Sequence, residues 1–63
     1  MNMNKIETLV KEIETLSETF VTEANANLCG NKAAGRRARK ATLALTKLFK
    51  EYRTLTVEAE KAE

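Results

Sequence analysis

The second half of the chain carries a regular pattern of apolar positions. They follow one another at alternating steps of four and three residues: Ala34, Ala38, Ala41, Leu45, Leu48, Tyr52, Leu55 and Ala59. A mean repeat of 3.5 residues, kept over more than three heptads, predicts a long helix that packs against another helix. We expect this helix to span about residues 32–61.

The first half has the same kind of pattern with larger side chains. Apolar residues recur at steps of three and four from Ile6 to Ala24, which predicts a helix over about residues 4–27. Its bulky positions would fit against the small ones of the second helix. The predicted seam, which serves as core and oligomer interface, consists of Ile6, Leu9, Ile13, Leu16, Phe20, Ala34, Ala38, Ala41, Leu45, Leu48, Tyr52 and Leu55.

A cluster of turn-forming residues separates the two patterns. Gly30 suits the left-handed conformation that often ends a helix, and Asn31 can cap the helix that follows. We therefore expect a tight turn from Leu28 to Asn31 and an antiparallel, all-α, two-helix hairpin. A long kinked helix that runs through Gly30 is the alternative.

The length of the chain predicts one domain, residues 1–63, that associates with itself. Two helices with this much alanine bury too little apolar surface to be stable alone. We expect a homodimer, as an antiparallel four-helix bundle or a coiled coil. No apolar run approaches the roughly 18 residues of a membrane span, and the start lacks the core of a signal peptide. With Cys29 as its one cysteine, the chain is expected to be cytoplasmic.

The net charge of +2 hides an uneven distribution. Residues 1–29 carry two lysines against five glutamates, whereas residues 30–57 carry eight basic residues against Glu51 alone. Most of the bases fall on the side of the second helix away from its seam, and two flank it. We predict that these residues bind nucleic acid: Lys32, Arg36, Arg37, Arg39, Lys40, Lys47, Lys50 and Arg53.

The composition argues against catalysis. The sequence has no His and no Asp, which removes the usual general bases, the common metal clusters and every Ser-His-Asp triad. Cys29 has no base beside it in the sequence, so an incidental thiol is expected. We predict no enzyme activity, no cofactor, no metal and no small-molecule substrate. The start of the second helix, at Gly30 to Lys32, is either an ordinary turn or a place for a phosphate.

The basic half resembles a known family, the bacterial linker-histone-like DNA-binding proteins, which include the nucleoid-condensing proteins of chlamydiae and short forms in Bacteroidetes. The resemblance rests on Gly30-Asn31-Lys32-Ala33-Ala34, Arg37, Arg39, Leu45, Lys47, Lys50, Tyr52-Arg53 and Ala59-Glu60-Lys61. It implies architectural, non-specific binding to double-stranded DNA in the nucleoid, and self-association. Chlamydial members condense chromosomes chiefly through a long basic tail. This chain ends at Glu63, so binding is expected from the helix face, multiplied by oligomerisation.

Two other functions fit the same residues. The first is a small oligomerising coiled-coil module with no nucleic-acid partner, whose charges set only the helix orientation. The second is a basic amphipathic helix on an anionic membrane. Ala34, Ala38 and Ala41 offer lipid little to hold, so we expect no membrane partner.

Overall fold

Two antiparallel helices form the part of the chain that the computed structural model describes, residues 3–62. Helix α1 spans Met3–Leu28 and helix α2 spans Lys32–Ala62. At ~1.5 Å per residue α2 is about 46 Å long, which accounts for the 49 Å length of the molecule. The predicted all-α hairpin, with helices at about 4–27 and 32–61, is confirmed.

The turn that ends α1 depends on Gly30. This glycine has a φ of +105°, in the left-handed region that side chains with a Cβ avoid. The Gly30 N–H donates to the Asn27 carbonyl at 2.9 Å, and the Asn31 N–H donates to the Ala26 carbonyl at 3.1 Å. These two bonds form a Schellman motif. They end the first helix, so the alternative of one kinked helix through Gly30 is wrong.

Two asparagine side chains connect the turn to the start of α2. The Asn31 Oδ1 accepts a hydrogen bond from the Ala34 N–H at 3.0 Å, as predicted for an N-cap, which typically stabilises a helix by ~1 kcal/mol. The Asn27 Nδ2 donates to the Asn31 carbonyl at 3.1 Å. The end of α1 and the start of α2 are thus held by side chains as well as by the backbone.

The core between the helices is narrow and consists largely of alanine. Among residues 4–61, whose burial the structure describes, the buried apolar side chains are Leu9, Ala34, Ala38, Ala41 and Leu45. The helices approach closely near the turn. A Cβ added to Gly35 would lie 2.7 Å from the Asn27 Nδ2, which is closer than such atoms pack. Small residues on α2 permit this approach, but they leave little apolar surface to bury.

The other residues of the predicted seam are less covered. Tyr52 is 39% exposed. The half-buried members are Ile6, Ile13, Leu16, Phe20, Leu48 and Leu55. A single hairpin therefore covers the alanine-rich part of the seam and leaves its bulky part partly open to solvent.

Replacing Gly30 by alanine is expected to lower the free energy of unfolding by about 1–2 kcal/mol. The cost is conformational, because no atom lies within 4 Å of the position that the new Cβ would take. Urea unfolding at a fixed protein concentration, followed by circular dichroism, measures it. Gly30→Asn is the matched control and should lose less, since Asn tolerates this conformation. An alanine variant as stable as the parent would contradict this account of the turn.

Candidate nucleic-acid interface

The outer side of α2 carries a continuous row of cations. All eight basic residues predicted to bind nucleic acid are exposed. At about 100° per residue, six of them lie opposite the buried alanines of the same helix. We call these six the cationic stripe: Lys32, Arg36, Arg39, Lys40, Lys47 and Lys50. Burial of the alanines against α1 turns the stripe toward solvent.

The stripe has the dimensions of a nucleic-acid contact. From Lys32 to Lys50 it extends about 27 Å along the helix axis. Phosphates of one DNA strand follow each other every ~3.4 Å along the duplex axis, so this length covers roughly eight of them. Lysine and arginine side chains are long and flexible enough to extend from such a helix toward the phosphates of a duplex lying beside it.

Arg37 and Arg53 lie beside the seam and outside the stripe, and Arg37 is already paired. Its Nε lies 3.0 Å from Oε2 of Glu23 on α1. The hydrogen bond to Glu23, followed by the attraction of the two charges, raises the pKa of Arg37. Within residues 3–62 no acidic group lies within 4.0 Å of the charged nitrogens of the stripe. The stripe cations are therefore available to an anion, whereas Arg37 has a protein partner.

One acid borders the stripe, namely Glu51, the one acid between residues 30 and 57. It lines a groove between the helices with Lys5 and Glu12, and it follows Lys47 by one turn, about 40° from it around α2. Among the described residues it forms no salt bridge with a cation of the stripe. The six cations therefore give the outer side of α2 a positive field, with Glu51 at its edge.

The start of α2 has the features of an ordinary capped turn. One of the free N–H groups that an anion needs, that of Ala34, donates instead to the Asn31 side chain.

Cys29 is an exposed free thiol in this turn. The described residues hold no group of three or more side chains that suits a metal ion. No helix among them is long and apolar enough to cross a membrane.

A second surface on the hairpin is apolar, and the heptad pattern alone did not identify it. Val10, Ile13, Phe49 and Tyr52 line one groove together with Glu14. Val10, Phe49 and Tyr52 are 38%, 46% and 39% exposed, and Val21 is 54% exposed. Val21 follows Val10 by about three turns of α1, so both lie on the same side. We call Val10, Ile13, Val21, Phe49 and Tyr52 the apolar patch.

An exposed apolar side chain also lies in the middle of the cationic stripe. Leu43 has 70% of its surface accessible. Positions 36, 40, 43, 47 and 50 are spaced by alternating steps of four and three, and Leu43 is the one member of this row that is not Arg or Lys. This row has the same alternating spacing as the seam and lies on the opposite side of α2, so the sequence alone contains the signal for it.

The fold and the stripe define a class of protein: a small helical hairpin with a basic outer face and no His or Asp with which to build a catalytic site. A family model described as Histone H1-like protein Hc1 matches residues 3–62. The chain belongs to this histone H1-like family, which confirms the resemblance and the prediction that the chain is not an enzyme. No curated protein and no solved structure is significantly similar to it.

Proposed function

We propose that this chain is a nucleoid-associated architectural protein of the bacterial cytoplasm that binds double-stranded DNA through the cationic stripe. The observation that carries the proposal is the exposure of six cations on one side of α2, with no acidic partner within salt-bridge distance among the described residues. Membership in a histone H1-like family supports it. The stripe neutralises phosphates and releases their counterions, which drives binding without regard to sequence.

The side chains of α2 support binding that tolerates any sequence. Asn and Gln, the residues that pair with adenine edges, do not occur in α2. The arginines of the stripe can pair with guanine, but they stand among lysines that contact phosphate as point charges. Contacts to phosphate position a protein on the duplex and carry no sequence information.

The functional unit in this proposal is a homodimer that forms through the apolar patch. Between residues 4 and 61 the buried apolar side chains are two leucines and three alanines, so burial contributes little against the entropy of ordering the chain. The patch offers four large, partly exposed side chains for burial against a second copy. A two-fold axis through the patch would pair like with like and build a four-helix bundle.

Dimerisation through the patch leaves DNA binding free. At about 100° per residue, Phe49 points about 120° away from Leu43 at the centre of the stripe. A second copy seated on the patch therefore leaves both stripes exposed. Two stripes on one rigid unit raise the apparent affinity for a long duplex, because the second contact becomes intramolecular.

The apolar patch also favours a second candidate function, an oligomerising interaction module that has no nucleic-acid partner. In that case the patch and the seam bind protein, and the stripe only keeps the helix soluble. Binding to DNA and binding to protein respond differently to salt. Association through the patch strengthens or stays constant as salt rises, whereas phosphate contacts weaken.

Removing two lysines from the stripe should weaken DNA binding far more than removing two lysines elsewhere. Lys40→Ala/Lys47→Ala is expected to flatten the plot of log affinity against log salt by about two units, since each phosphate contact contributes ~0.9. Lys5→Ala/Lys11→Ala on α1 changes the net charge equally and is expected to leave the slope unchanged. Fluorescence anisotropy with a labelled duplex measures both. Equal effects of the two variants would contradict the assignment of the stripe.

The neighbours Arg36 and Arg37 should differ in their contribution to DNA binding. Arg36→Ala is expected to reduce the salt slope by about one unit. Arg37→Ala should reduce it less, because the guanidinium of Arg37 is already paired with Glu23. Glu23→Gln, which frees Arg37, should steepen the slope of the otherwise unchanged protein. If the two alanine variants gave the same slope, the ion pair would have no bearing on DNA binding.

A charge placed in the apolar patch should shift the protein toward monomer. Val21→Glu is expected to weaken association at least tenfold, because dimerisation would bury an unpaired carboxylate. Val57→Glu is the matched control, since Val57 is similarly exposed but lies among Arg53, Thr54 and Glu58. Sedimentation equilibrium gives the mass of each. An unchanged mass for Val21→Glu would place the dimer interface elsewhere.

A further inference from the structure

Leu43 occupies the centre of the face that the proposed function turns toward DNA. Its neighbours one turn away are Arg39, Lys40 and Lys47, and two turns away are Arg36 and Lys50. A helix that brings these cations to phosphates also brings Leu43 to the duplex. The side chain is 70% exposed, so the hairpin itself covers little of it.

An apolar side chain between cations has a specific use in DNA binding. Architectural proteins insert Leu, Ile, Phe or Met between base steps from the minor groove, while Arg and Lys hold the phosphates on either side. The insertion partly unstacks the step and kinks the duplex toward the major groove. An α-helix is about 10–12 Å across and the minor groove of B-DNA is about 6 Å wide. A helix that carries Leu43 into the minor groove therefore needs the groove to widen, and insertion of the side chain between base steps widens it.

We propose that Leu43 is a wedge that enters the minor groove and bends the DNA. The proposal rests on the proposed function and goes beyond it, because phosphate contacts alone require neither an apolar centre nor a bend. It also agrees with the absence of Asn and Gln from α2, since insertion depends on how easily a step deforms and not on the edges of its bases. Flexible pyrimidine–purine steps are the expected sites.

The test compares binding and bending of one duplex by the full chain. A mixed-sequence duplex of about 20 base pairs, with a donor and an acceptor dye at its two ends, reports bending as increased energy transfer. The parent is expected to raise the transfer. Leu43→Ala should bind about tenfold more weakly, with the salt slope of the parent because no charge is removed, and at saturation it should leave the duplex straight.

Two further variants separate the wedge from a general loss of an apolar side chain. Leu43→Met keeps a long apolar side chain and should bend DNA as the parent does. Leu28→Ala removes a leucine that is 83% exposed at the end of α1, outside the row from Arg36 to Lys50, and should change neither binding nor bending. Circular dichroism and sedimentation establish that each variant keeps the helicity and mass of the parent.

The outcomes are distinct. If Leu43→Ala bends DNA like the parent, the wedge is wrong and the stripe remains the binding site. If it loses affinity while the parent itself leaves the duplex straight, Leu43 contacts thymine methyl groups or sugars in a groove, which also overturns the wedge. If the parent binds no duplex at the lowest salt, the proposed function fails and the wedge fails with it.

Discussion

The packing of α2 against α1 through alanine determines the rest of the structure. Ala34, Ala38 and Ala41 are buried because α1 lies directly over them. Since each residue of a helix turns by about 100°, burial of these three sets the rotation of the whole helix. The cationic stripe then faces solvent and the apolar patch lies at the side. A helix with bulkier seam residues would stand farther from α1 and would lose the close approach at Gly35.

The same packing is the reason for proposing a dimer. Alanine allows close approach but contributes little apolar area, so the gain from burial stays small beside the entropy of ordering two long helices. The larger side chains, Phe49 and Tyr52 among them, are displaced to the side of the hairpin and remain partly exposed. In the proposed dimer, a second copy of the chain covers these side chains, and the two cationic stripes belong to one rigid unit.

The sequence predicted the fold well because the features that determine it are local and periodic. The heptad spacing identified both helices to within about a residue at the turn, and Gly30 and Asn31 take the conformations expected of them. The eight cations are exposed, as a face opposite to the seam requires. The antiparallel arrangement brings Glu23 close to the basic start of α2, but its pairing with Arg37 in particular depends on side-chain geometry that the sequence does not specify.

The features that periodicity missed are those of the surface. The apolar patch joins residues of two helices, Val10 and Ile13 with Phe49 and Tyr52, and only the paired structure brings them together. The heptad pattern places Tyr52 in the seam, and the single hairpin leaves it 39% exposed, in the groove of the apolar patch. Leu43 was within reach of the sequence, since it occupies one position of a row that is otherwise cationic. Leu43 lies on the side of α2 opposite to the seam, so the heptad pattern of the seam does not include it.

The most direct test of the central claim is the affinity of the unmodified protein for several unrelated duplexes between about 20 and 200 mM salt. The account predicts similar affinities for duplexes of mixed sequence and a fall with salt whose logarithmic slope is about −5 for one stripe of six cations. Equal affinities with a steep slope would establish binding through phosphates. A shallow slope, a strong preference for one sequence, or no binding at the lowest salt would contradict it.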